Sequence, residues 1–342
     1  MTLRVGIAGA SGYTGVELLR LLSQHPEAEV VALAGGRAAG QSMAASWPAL
    51  TGLGLPDMAA LDLSFAVGLD ALFLGLPHGV SAAYVAELHA AGLLDAGLRI
   101  IDLGADFRLR DADVFARVYG AAHPCPGLLP EAVYGLPEVH REALRTARII
   151  ANPGCYPTAT AIAALPLVEQ LGADWLAVTG ISGISGAGRS PGPRNLYCET
   201  AERVVAYGVA GGHRHTAEME QLLGASVSFT PHLAPMVRGM TATVLARPSR
   251  PVDNDELYDI YVKRFADHPM VTVLRAPPSS GDVRGTARAQ VAAFYDAERG
   301  VITATSAIDN IGKGAAGQAV HNMNLAFGLP EISGLPFLPL LP

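Results

Sequence analysis

Short apolar runs alternate with segments of helical period through the first 150 residues. The runs occupy residues 3–8, 28–33, 71–76, 99–103 and 147–151, and the clearest helical patterns between them occupy residues 16–22 and 82–91. Such runs are typical of strands buried on both faces, and their alternation with helices predicts a mostly parallel, doubly wound α/β sheet of Rossmann type. Ligands of such a sheet bind at the carboxyl ends of its strands.

The pattern changes in the second half of the chain. Further strand-like runs lie at 175–181, 225–229, 239–246, 288–295 and 301–308, with one helical pattern among them at 255–265. Several strands with few helices predict an α+β second domain built on a mixed or antiparallel sheet. A last helical pattern, at 314–327, follows these strands.

Composition narrows the class of protein. The chain has 342 residues, half of them hydrophobic, so it is long enough for two cores. A net charge of −7 without a basic stripe argues against a nucleic-acid partner. No apolar run reaches membrane-spanning length and a strand pattern starts at residue 3, so we expect no membrane partner, no signal peptide and a cytoplasmic location. The three cysteines are too few and too scattered for a disulfide framework.

A glycine-rich turn, Gly9-Ala10-Ser11-Gly12-Tyr13-Thr14-Gly15, lies between the first strand and the first helix. Glycines in this strand–turn–helix context let the backbone approach a pyrophosphate at the helix N-terminus, which is how dinucleotides are bound. The alternative is a tight turn whose glycines serve packing alone. The residues of this turn that we expect to contact a cofactor are Gly9, Ser11, Gly12, Tyr13, Thr14 and Gly15.

The end of the second strand discriminates between NAD and NADP. NAD sites usually place an acidic residue there to hold the ribose 2′-hydroxyl, whereas this chain has Ala34-Gly35-Gly36-Arg37. A cation with small neighbours suits a 2′-phosphate, so the sequence favours NADP and assigns Arg37 to it. The alternative is that Arg37 is a solvated loop residue.

Cys155 lies where an apolar strand breaks at Asn152-Pro153-Gly154 and a helical pattern begins, at Thr158. The unpaired N–H groups and the positive dipole end of a helix stabilise a thiolate, so we interpret Cys155 as a nucleophile. Cys125 and Cys198 lack this context and are expected to be structural thiols. A thiolate beside a nicotinamide can accept an acyl group as a thioester, and hydride transfer then yields an aldehyde.

The segment from Gly212 to Glu218 supplies the best acid–base candidates. We predict His215 as the base, Glu218 as the residue that orients it, and His213 as a supporting and substrate-contacting residue. Three alternatives are that Glu218 complements a helix N-terminus, that one histidine is structural, or that His-x-His binds a metal. No third metal ligand stands nearby, so no metal is predicted.

Several loop residues are candidates for binding anions or the cofactor. The small-residue loop 182–189 is suited to present backbone N–H groups to an anion. Arginines in glycine-rich loops can donate paired hydrogen bonds to carboxylate or phosphate oxygens. For Arg108, which lies beside Asp106, the alternative is a local ion pair. His78, after the third strand run, is either a cofactor contact or a histidine that shapes the turn. The further predicted cofactor contacts are Pro77, His78, Ser185 and Gly186, and the further predicted substrate contacts are Arg108, Asn152, Arg189, Arg214 and Arg238.

Together these motifs resemble the N-acetyl-gamma-glutamyl-phosphate reductases of arginine biosynthesis. The resemblance covers essentially the whole chain, with eight segments in order: GASGYTG at 9–15, LPHG at 76–79, GADFRL at 104–109, YGLPE at 134–138, PGCYPT at 153–158, SGISGAGR at 182–189, HRHTAE at 213–218 and AIDNIGKG at 307–314. Two departures from the family pattern are Ala287 after Gly-Thr, where Asn is common, and Gly312 before the lysine, where a larger residue is usual.

The resemblance implies the reduction of N-acetyl-L-glutamyl 5-phosphate by NADPH to N-acetyl-L-glutamate 5-semialdehyde, with release of phosphate. It implies that Cys155 accepts the acyl group and that the fold is shared with aspartate-semialdehyde dehydrogenases. In that fold the last helix rejoins the cofactor domain, so residues 1–150 with 313–342 would bind NADP, with Asn310 and Lys313 near it. Residues 151–312 would carry catalysis and oligomerisation, as a homotetramer or homodimer.

Three rival interpretations remain open from the sequence. One is a sister enzyme that reduces a carrier-protein-linked aminoadipyl or glutamyl phosphate, although the sister enzymes lack the loop at 182–189. Another is aspartate-semialdehyde dehydrogenase itself, which the YGLPE and HRHT segments do not fit. The third belongs to a different class, a catalytically silent NADP-binding sensor.

Overall fold

Contacts within the chain define two units, Met1–Pro153 with Ala315–Leu335 and Gly154–Gly314 with Pro336–Pro342. The structure is a computed structural model and describes residues 2–190, 192 and 196–341. The polypeptide therefore crosses between the units at 153/154 and again at 314/315, before its last residues return to the second unit.

The first unit contains a parallel sheet, as the alternating pattern predicts. Its strands are β1 (Leu3–Ala8), β2 (Ala28–Ala34), β3 (Met58–Ala59), β4 (Ala71–Leu74), β5 (Arg99–Asp102), β6 (Ala132–Tyr134) and β7 (Ile149–Ala151). Its helices are α1 (Tyr13–Leu22), α2 (Met43–Ser46), α3 (Val80–Ala90), α4 (Ala112–Tyr119), α5 (Pro137–Leu144) and, from the end of the chain, α10 (Gly317–Ala326). Among the described residues the strand order is β3-β2-β1-β4-β5-β7-β6, all parallel.

The strand order reverses direction between β1 and β4, and this position is where a doubly wound sheet binds its ligand. β4 is buried at every residue, and so is β7, because helices cover both faces of the sheet. β3 and β6 are too short to show a hydrophobic period, and the sequence pattern did not predict them.

The second unit contains a mixed sheet. Its strands are β8 (Trp175–Gly183), β9 (Val205–Ala206), β10 (Ser226–Ala234), β11 (Met240–Ala246), β12 (Val271–Val273), β13 (Ala289–Asp296) and β14 (Val301–Ile308). Its helices are α6 (Cys155–Leu171), α7 (Tyr197–Thr200), α8 (His215–Leu223) and α9 (Asn254–Phe265). In the described part of the chain the order is β12-β13-β14-β11-β8-β10-β9, with parallel β8–β10 and β12–β13 pairs and antiparallel pairs elsewhere.

Strand burial shows that the mixed sheet has one covered and one open face. Along β11, Met240, Ala242 and Val244 are fully buried against the helices, whereas Thr241, Thr243 and Leu245 alternate with them and are accessible. α6 packs against β11, β13 and β14, and its long apolar sequence is buried almost all round. The predicted fold class, a Rossmann-type parallel sheet with a second mixed-sheet unit, is therefore confirmed.

Two helix boundaries differ from the sequence pattern. α6 begins at Cys155 itself, three residues before the start that the pattern predicts, because Thr158 donates its N–H and its hydroxyl to the Gly154 carbonyl. The last helical pattern, predicted over 314–327, divides into a π-helical turn, Gly312–Ala316, followed by α10.

The last residues of the chain also depart from the sequence-based division, which placed all of 313–342 with the first unit. Arg284 donates its guanidinium to the Leu340 carbonyl, and the Leu340 N–H donates to the Arg284 carbonyl. These bonds hold the C-terminal segment in the second unit. No helix among the described residues is both long and apolar enough to cross a membrane.

Candidate active site

The glycine turn of the first unit has the shape that a pyrophosphate requires. Gly9 has φ +82°, and a β-carbon there would collide with the Gly75 carbonyl of the neighbouring strand end. A β-carbon at Gly15 would lie 2.5 Å from the Gly9 carbonyl oxygen, so this glycine permits the helix to pack closely against the turn. A β-carbon at Gly12 would meet no atom closer than the Gly9 carbonyl oxygen at 3.4 Å, so this position of the turn is open.

The N-terminus of α1 has no side-chain cap. Gly12 is its N-cap residue, and its carbonyl accepts the first helical hydrogen bond from Val16. The first N–H groups of a helix lack intrahelical partners. α1 has ten residues, and its N-terminus has no side-chain cap and lies beside an open glycine turn, so it fits a dinucleotide pyrophosphate. Arg37 lies just beyond β2 in a short 3-10 turn, Gly36–Ala38, and its side chain is exposed.

His78, at the carboxyl end of β4, is held by a buried carboxylate. Its Nδ1 lies 2.6 Å from Asp106 Oδ1, and its ring stacks on Tyr119 with ring centroids 4.1 Å apart. Asp106 is fully buried and also accepts the N–H groups of Gly79 and Ala82, at the start of α3. The histidine ring is therefore fixed in orientation, with 29% of the side chain exposed.

The side chain of Asn152, a predicted substrate contact, is hydrogen-bonded within the first unit. Its side-chain Nδ2 donates to the Ala315 carbonyl at 3.2 Å, and its Oδ1 accepts from Asn322 Nδ2 at 3.0 Å. The residue is 1% exposed, so its amide is used within the first unit and is not offered to a substrate in this arrangement. Its carbonyl accepts the Arg108 Nε–H at 2.9 Å, and Arg108 is itself 8% exposed.

In the second unit, Glu218 connects the nucleophile segment to the candidate base. Its Oε1 accepts the Gly154 N–H at 2.9 Å, directly before Cys155, and its Oε2 lies 4.0 Å from His215 Nε2. Glu218 is 1% exposed and stands in the first turn of α8, which begins at His215. The Glu218 carboxylate thus holds the turn before the thiol by a hydrogen bond and lies within ion-pairing distance of the His215 ring, while it also complements the N-terminus of α8.

His213 lies in an aromatic cluster beside this pair. Its Nδ1 accepts the His215 N–H at 3.1 Å, and its ring meets Tyr156, Tyr207 and Phe229 edge-on. Burial, aided by the Arg214 charge, lowers the pKa of His213 from its ordinary 6.5 to about 4. His213 is therefore neutral near pH 7 and carries its proton on Nε2.

Tyr156 extends the cluster, with its hydroxyl 2.9 Å from the His232 carbonyl and 3.3 Å from the Tyr207 hydroxyl. Burial raises the pKa of Tyr156 far above its ordinary value, so it stays a neutral hydrogen-bond donor. The sequence analysis missed both tyrosines. The position of Tyr156 directly after Cys155 was the available signal for the first of them.

The loop at 182–189 is fixed by backbone bonds that the sequence does not reveal. The N–H groups of Gly183, Ile184 and Ser185 donate to the carbonyls of Gly239, Met236 and Val237 respectively. These three donors are consequently unavailable to an anion, contrary to the expectation for the loop as a whole. Gly186 and Arg189, further along the loop, are exposed.

Asp309 organises the segment that carries Arg238, Asn310 and Lys313. Its fully buried carboxylate accepts the Arg238 Nε–H at 2.9 Å and the N–H groups of Gly285, Ile311 and Gly312. Asn310 then bridges two elements, since its Oδ1 accepts from Gly239 N and its Nδ2 donates to Ser185 Oγ at 2.9 Å. Arg238 is therefore already neutralised by a carboxylate.

The π-helical turn Gly312–Ala316 lies against the nucleophile. A β-carbon at Gly314 would lie 2.7 Å from the Cys155 β-carbon, and the Gly314 N–H donates to the Asp309 carbonyl. Lys313 is fully buried in the same turn. The structure thus places the two sequence neighbours of Cys155 against the predicted acid–base residues, Gly154 against Glu218 and Tyr156 against His213 and His215. Cys155 itself lies against Gly314.

Comparisons with known proteins show which family the chain belongs to. The family model for the semialdehyde dehydrogenase NAD binding domain matches residues 4–147, and the model for the semialdehyde dehydrogenase dimerisation domain matches residues 155–310. The N-acetyl-gamma-glutamyl-phosphate reductases of Azotobacter vinelandii and Nitrosospira multiformis are 47% and 44% identical to the chain, and each match covers 99% of this chain and 100% of the relative.

The chain belongs to the N-acetyl-gamma-glutamyl-phosphate reductase family. Its assignment as an oxidoreductase that uses a nicotinamide cofactor and a small-molecule substrate follows from this membership. Solved structures of aspartate semialdehyde dehydrogenases share the fold alone. That of enzyme II from Vibrio cholerae, complexed with ASA, has a TM-score of 0.69 at 18% identity, and that from Candida albicans, with NADP, has a TM-score of 0.65 at 20% identity. Both matches cover 95% of this chain and 98% of the solved chain.

Proposed function

We propose that the chain reduces N-acetyl-L-glutamyl 5-phosphate to N-acetyl-L-glutamate 5-semialdehyde and phosphate with NADPH, in arginine biosynthesis. The observation that carries this proposal is the arrangement at Cys155 in a member of the N-acetyl-gamma-glutamyl-phosphate reductase family. The thiol is on the first residue of α6, and the N–H before it is held by Glu218, which also faces His215.

NADP is proposed over NAD because of the end of β2. The strand ends at Ala34 and continues as Gly35-Gly36-Arg37, so no carboxylate stands where an NAD-binding protein holds the ribose 2′-hydroxyl. The exposed Arg37 guanidinium would pair with the 2′-phosphate. The glycine turn and the uncapped start of α1 would hold the pyrophosphate, with His78 as a further contact at the end of β4.

The proposed chemistry begins with attack of the Cys155 thiolate on the acyl carbon. A carbon–sulfur bond forms, the bond from the acyl carbon to the phosphate oxygen breaks, and phosphate leaves, so a thioester remains on Cys155. Bound NADPH supplies the hydride that reduces this acyl group. The hydroxyl group of the resulting thiohemiacetal then loses its proton, and the carbon–sulfur bond breaks. These two changes release the aldehyde and return the thiolate.

His215 is proposed as the acid–base residue of these steps. Glu218 stabilises the imidazolium that forms when His215 accepts a proton, and it keeps the ring oriented. Because His213 is neutral near pH 7, it supports the ring of His215 through the backbone and adds no competing charge. In this scheme His215 takes the thiol proton and later gives a proton to the substrate oxygen.

The exposed arginines of the second unit are proposed to bind the substrate anions. Arg189 is exposed on the loop after β8, and Arg214 is exposed directly before α8. Arg238 is held by Asp309. We assign the phosphate and carboxylate to the first two and a positioning role to Arg238. The open face of the mixed sheet is proposed to join copies of the chain as a homodimer or homotetramer.

The direct test runs the reaction in reverse, with N-acetylglutamate semialdehyde, phosphate and NADP, and follows the absorbance of reduced cofactor, with NAD in parallel. We expect turnover with NADP in wild type and in the Cys125→Ser/Cys198→Ser double variant. Burial raises the pKa of the Cys125 thiol to about 11, and Cys198 lies on the surface of α7, so neither should contribute.

Cys155→Ser should reduce this turnover by at least roughly a thousandfold, because a hydroxyl is a much weaker nucleophile than a thiolate. In the double variant, which keeps Cys155 as its only cysteine, iodoacetamide should inactivate the enzyme and the acyl-phosphate substrate should protect it. Near-normal turnover by Cys155→Ser would exclude the thioester route.

A further inference from the structure

The segment between β2 and β3 contacts the glycine turn through a tryptophan. The indole N–H of Trp47 donates to the carbonyl oxygen of Ser11 at 3.0 Å. The same ring lies 6.0 Å, centroid to centroid, from the ring of Tyr13, the first residue of α1. Trp47 is half-buried. No sequence pattern predicts a role for it, because a single tryptophan before a proline belongs to no periodic run and to no known motif.

This segment is closed at its base by a pair of backbone bonds. The Gly40 N–H donates to the Met58 carbonyl at 2.7 Å, and the Met58 N–H donates to the Gln41 carbonyl at 3.0 Å. Residues 41–57 therefore form a loop anchored beside β2 and β3, and the Trp47 indole is a second attachment, to the glycine turn. Arg37 lies outside this loop, just before its base.

The peptide unit between Ser11 and Gly12 is held at both of its polar ends. Its carbonyl accepts the Trp47 indole N–H, and its N–H donates to the Gly9 carbonyl at 3.1 Å. Gly9 and Gly15 cannot shift freely, since each is packed directly against neighbouring backbone. The indole thus fixes the orientation of the peptide that stands in the middle of the turn.

We propose that Trp47 is a positioning residue for the pyrophosphate of the nicotinamide dinucleotide. This inference rests on the proposed cofactor site and adds a residue to it. The indole orients the Ser11–Gly12 peptide, so that the backbone N–H groups at the start of α1 meet the pyrophosphate without a rearrangement of the turn. Preorganisation of this kind raises affinity because the ordering cost is met before binding.

The proposal separates two contributions to cofactor binding. The pyrophosphate is common to NADPH and NADH, so loss of the indole N–H should weaken both to the same degree. The 2′-phosphate is present in NADPH alone, so loss of Arg37 should weaken NADPH and leave NADH nearly unchanged. A tryptophan that merely filled space would change melting temperature without this pattern.

The test compares Trp47→Phe with Arg37→Ala and with Trp175→Phe, a matched control. Phenylalanine keeps the ring that packs near Tyr13 and removes the N–H, and Trp175, the second tryptophan of the chain, is 55% exposed at the start of β8. Dissociation constants for NADPH and NADH are measured by calorimetry, and KM and kcat are measured by the reverse assay.

We expect Trp47→Phe to raise the dissociation constants of both cofactors and the KM for NADP by roughly five- to tenfold, the worth of one hydrogen bond. The kcat at saturating cofactor and the NADPH/NADH affinity ratio should stay within about twofold of wild type. Arg37→Ala should lower that ratio, and Trp175→Phe should change none of these quantities. If Trp47→Phe lowers the melting temperature by more than about 3 °C, Trp47→Tyr repeats the measurement.

Unchanged dissociation constants in Trp47→Phe, or a change confined to NADPH, would overturn the inference. The proposed function is judged separately. Wild-type protein that binds dinucleotide without turning over the semialdehyde would disprove the reaction while the binding series still decides the role of Trp47. Wild-type protein that binds neither dinucleotide would overturn both proposals.

Discussion

A histidine next to the proposed base is kept neutral by its surroundings. His213 is lined by aromatic rings and adjoins Arg214, and these neighbours lower its pKa to about 4. Because an unfolded histidine titrates near 6.5, the unfolded state binds a proton between these two values that the folded state does not bind. The free energy of unfolding therefore falls as the pH is lowered through this window. The stability that depends on a neutral His213 is fully present above the window.

His213→Asn should weaken this pH dependence. Asparagine offers an oxygen in place of Nδ1 to accept the His215 N–H, and it does not titrate. Between about pH 6.5 and 4, we expect the slope of unfolding free energy against pH to be smaller in the variant than in wild type, by up to the value that corresponds to about one bound proton. Urea unfolding at several pH values measures the slope. Burial also lowers the pKa values of His123 and His140, so the difference between variant and wild type isolates His213. Parallel curves for the two proteins would contradict the assignment.

At the residue level, the sequence predicts which residues belong to the site better than it predicts which residues they contact. Cys155, His215 and Glu218 were expected to act together, and the structure brings Glu218 to the Gly154 N–H across 64 residues of sequence. The pairing of Arg238 with Asp309 spans 71 residues, and no local pattern signals it, so Arg238 was expected to bind substrate. The partners of Asn152, Ala315 and Asn322, likewise come from a distant part of the chain and have no local signal.

At the level of elements, the π-helical turn Gly312–Ala316 packs directly against the nucleophile. Turns of this kind insert an extra residue into a helix and occur frequently at functional sites. Here the turn brings the backbone of Gly314 so near Cys155 that a side chain does not fit. The position and rotamer of the thiol are consequently limited by a backbone segment that comes 159 residues later in the chain, from 155 to 314.

Gly314→Ala should therefore displace the nucleophile. Its β-carbon would lie 2.7 Å from the Cys155 β-carbon, so one of the two segments must shift. We expect kcat to fall by at least about tenfold, since small displacements of reacting groups carry large rate penalties, and stability to fall by roughly 1–3 kcal/mol.

Gly281→Ala is the matched control for this substitution. A β-carbon at Gly281 meets its nearest neighbour at an ordinary 3.5 Å, and the residue lies in the same unit. Steady-state kinetics and thermal melting of both variants provide the comparison. A kcat for Gly314→Ala within twofold of that for Gly281→Ala would show that the turn does not constrain Cys155.

Long elements were predictable and short ones were not. The buried runs at β1, β2, β5, β11 and β14 each match an apolar pattern, because burial on a sheet requires continuous or alternating apolar residues. β3 and β9 contain two residues each, which is too few for any period. The π-helical turn is invisible to pattern analysis since its backbone differs from an α-helix only in hydrogen bonding.

On the scale of the whole molecule, we expect the open face of the mixed sheet to be the surface that associates with a second copy. Trp175 and Leu245 are 55% and 42% exposed on this face, and the region lies within the match to the semialdehyde dehydrogenase dimerisation domain. Large apolar side chains on a flat sheet are typical of protein–protein contacts. The two units also account for the two family matches, which meet between residues 147 and 155.

Wild-type protein should sediment at a multiple of the 35.5 kDa chain mass. Leu245→Glu places a charge on the open face, and we expect it to raise the dissociation constant of the assembly by at least about tenfold, because a buried unpaired charge is costly. Leu338→Glu is the control, since Leu338 is 85% exposed on the C-terminal segment and is not part of a strand. Sedimentation velocity over a range of concentrations measures both. Equal assembly of the two variants would exclude this face as the interface.

The first two chain crossings, at 153/154 and 314/315, have a consequence for how the protein is made. The first unit includes α10, which packs with α1 and α5, and Asn152 donates its side chain to Ala315. A ribosome synthesises the glycine turn among the first residues, but the helix that completes this unit emerges only after nearly the whole second unit. Domains that are contiguous in sequence can fold one after another during synthesis. In this protein the first unit instead stays incomplete until α10 has been synthesised. Throughout synthesis of the second unit, the nascent N-terminal unit therefore exposes the apolar surface that α10 later covers.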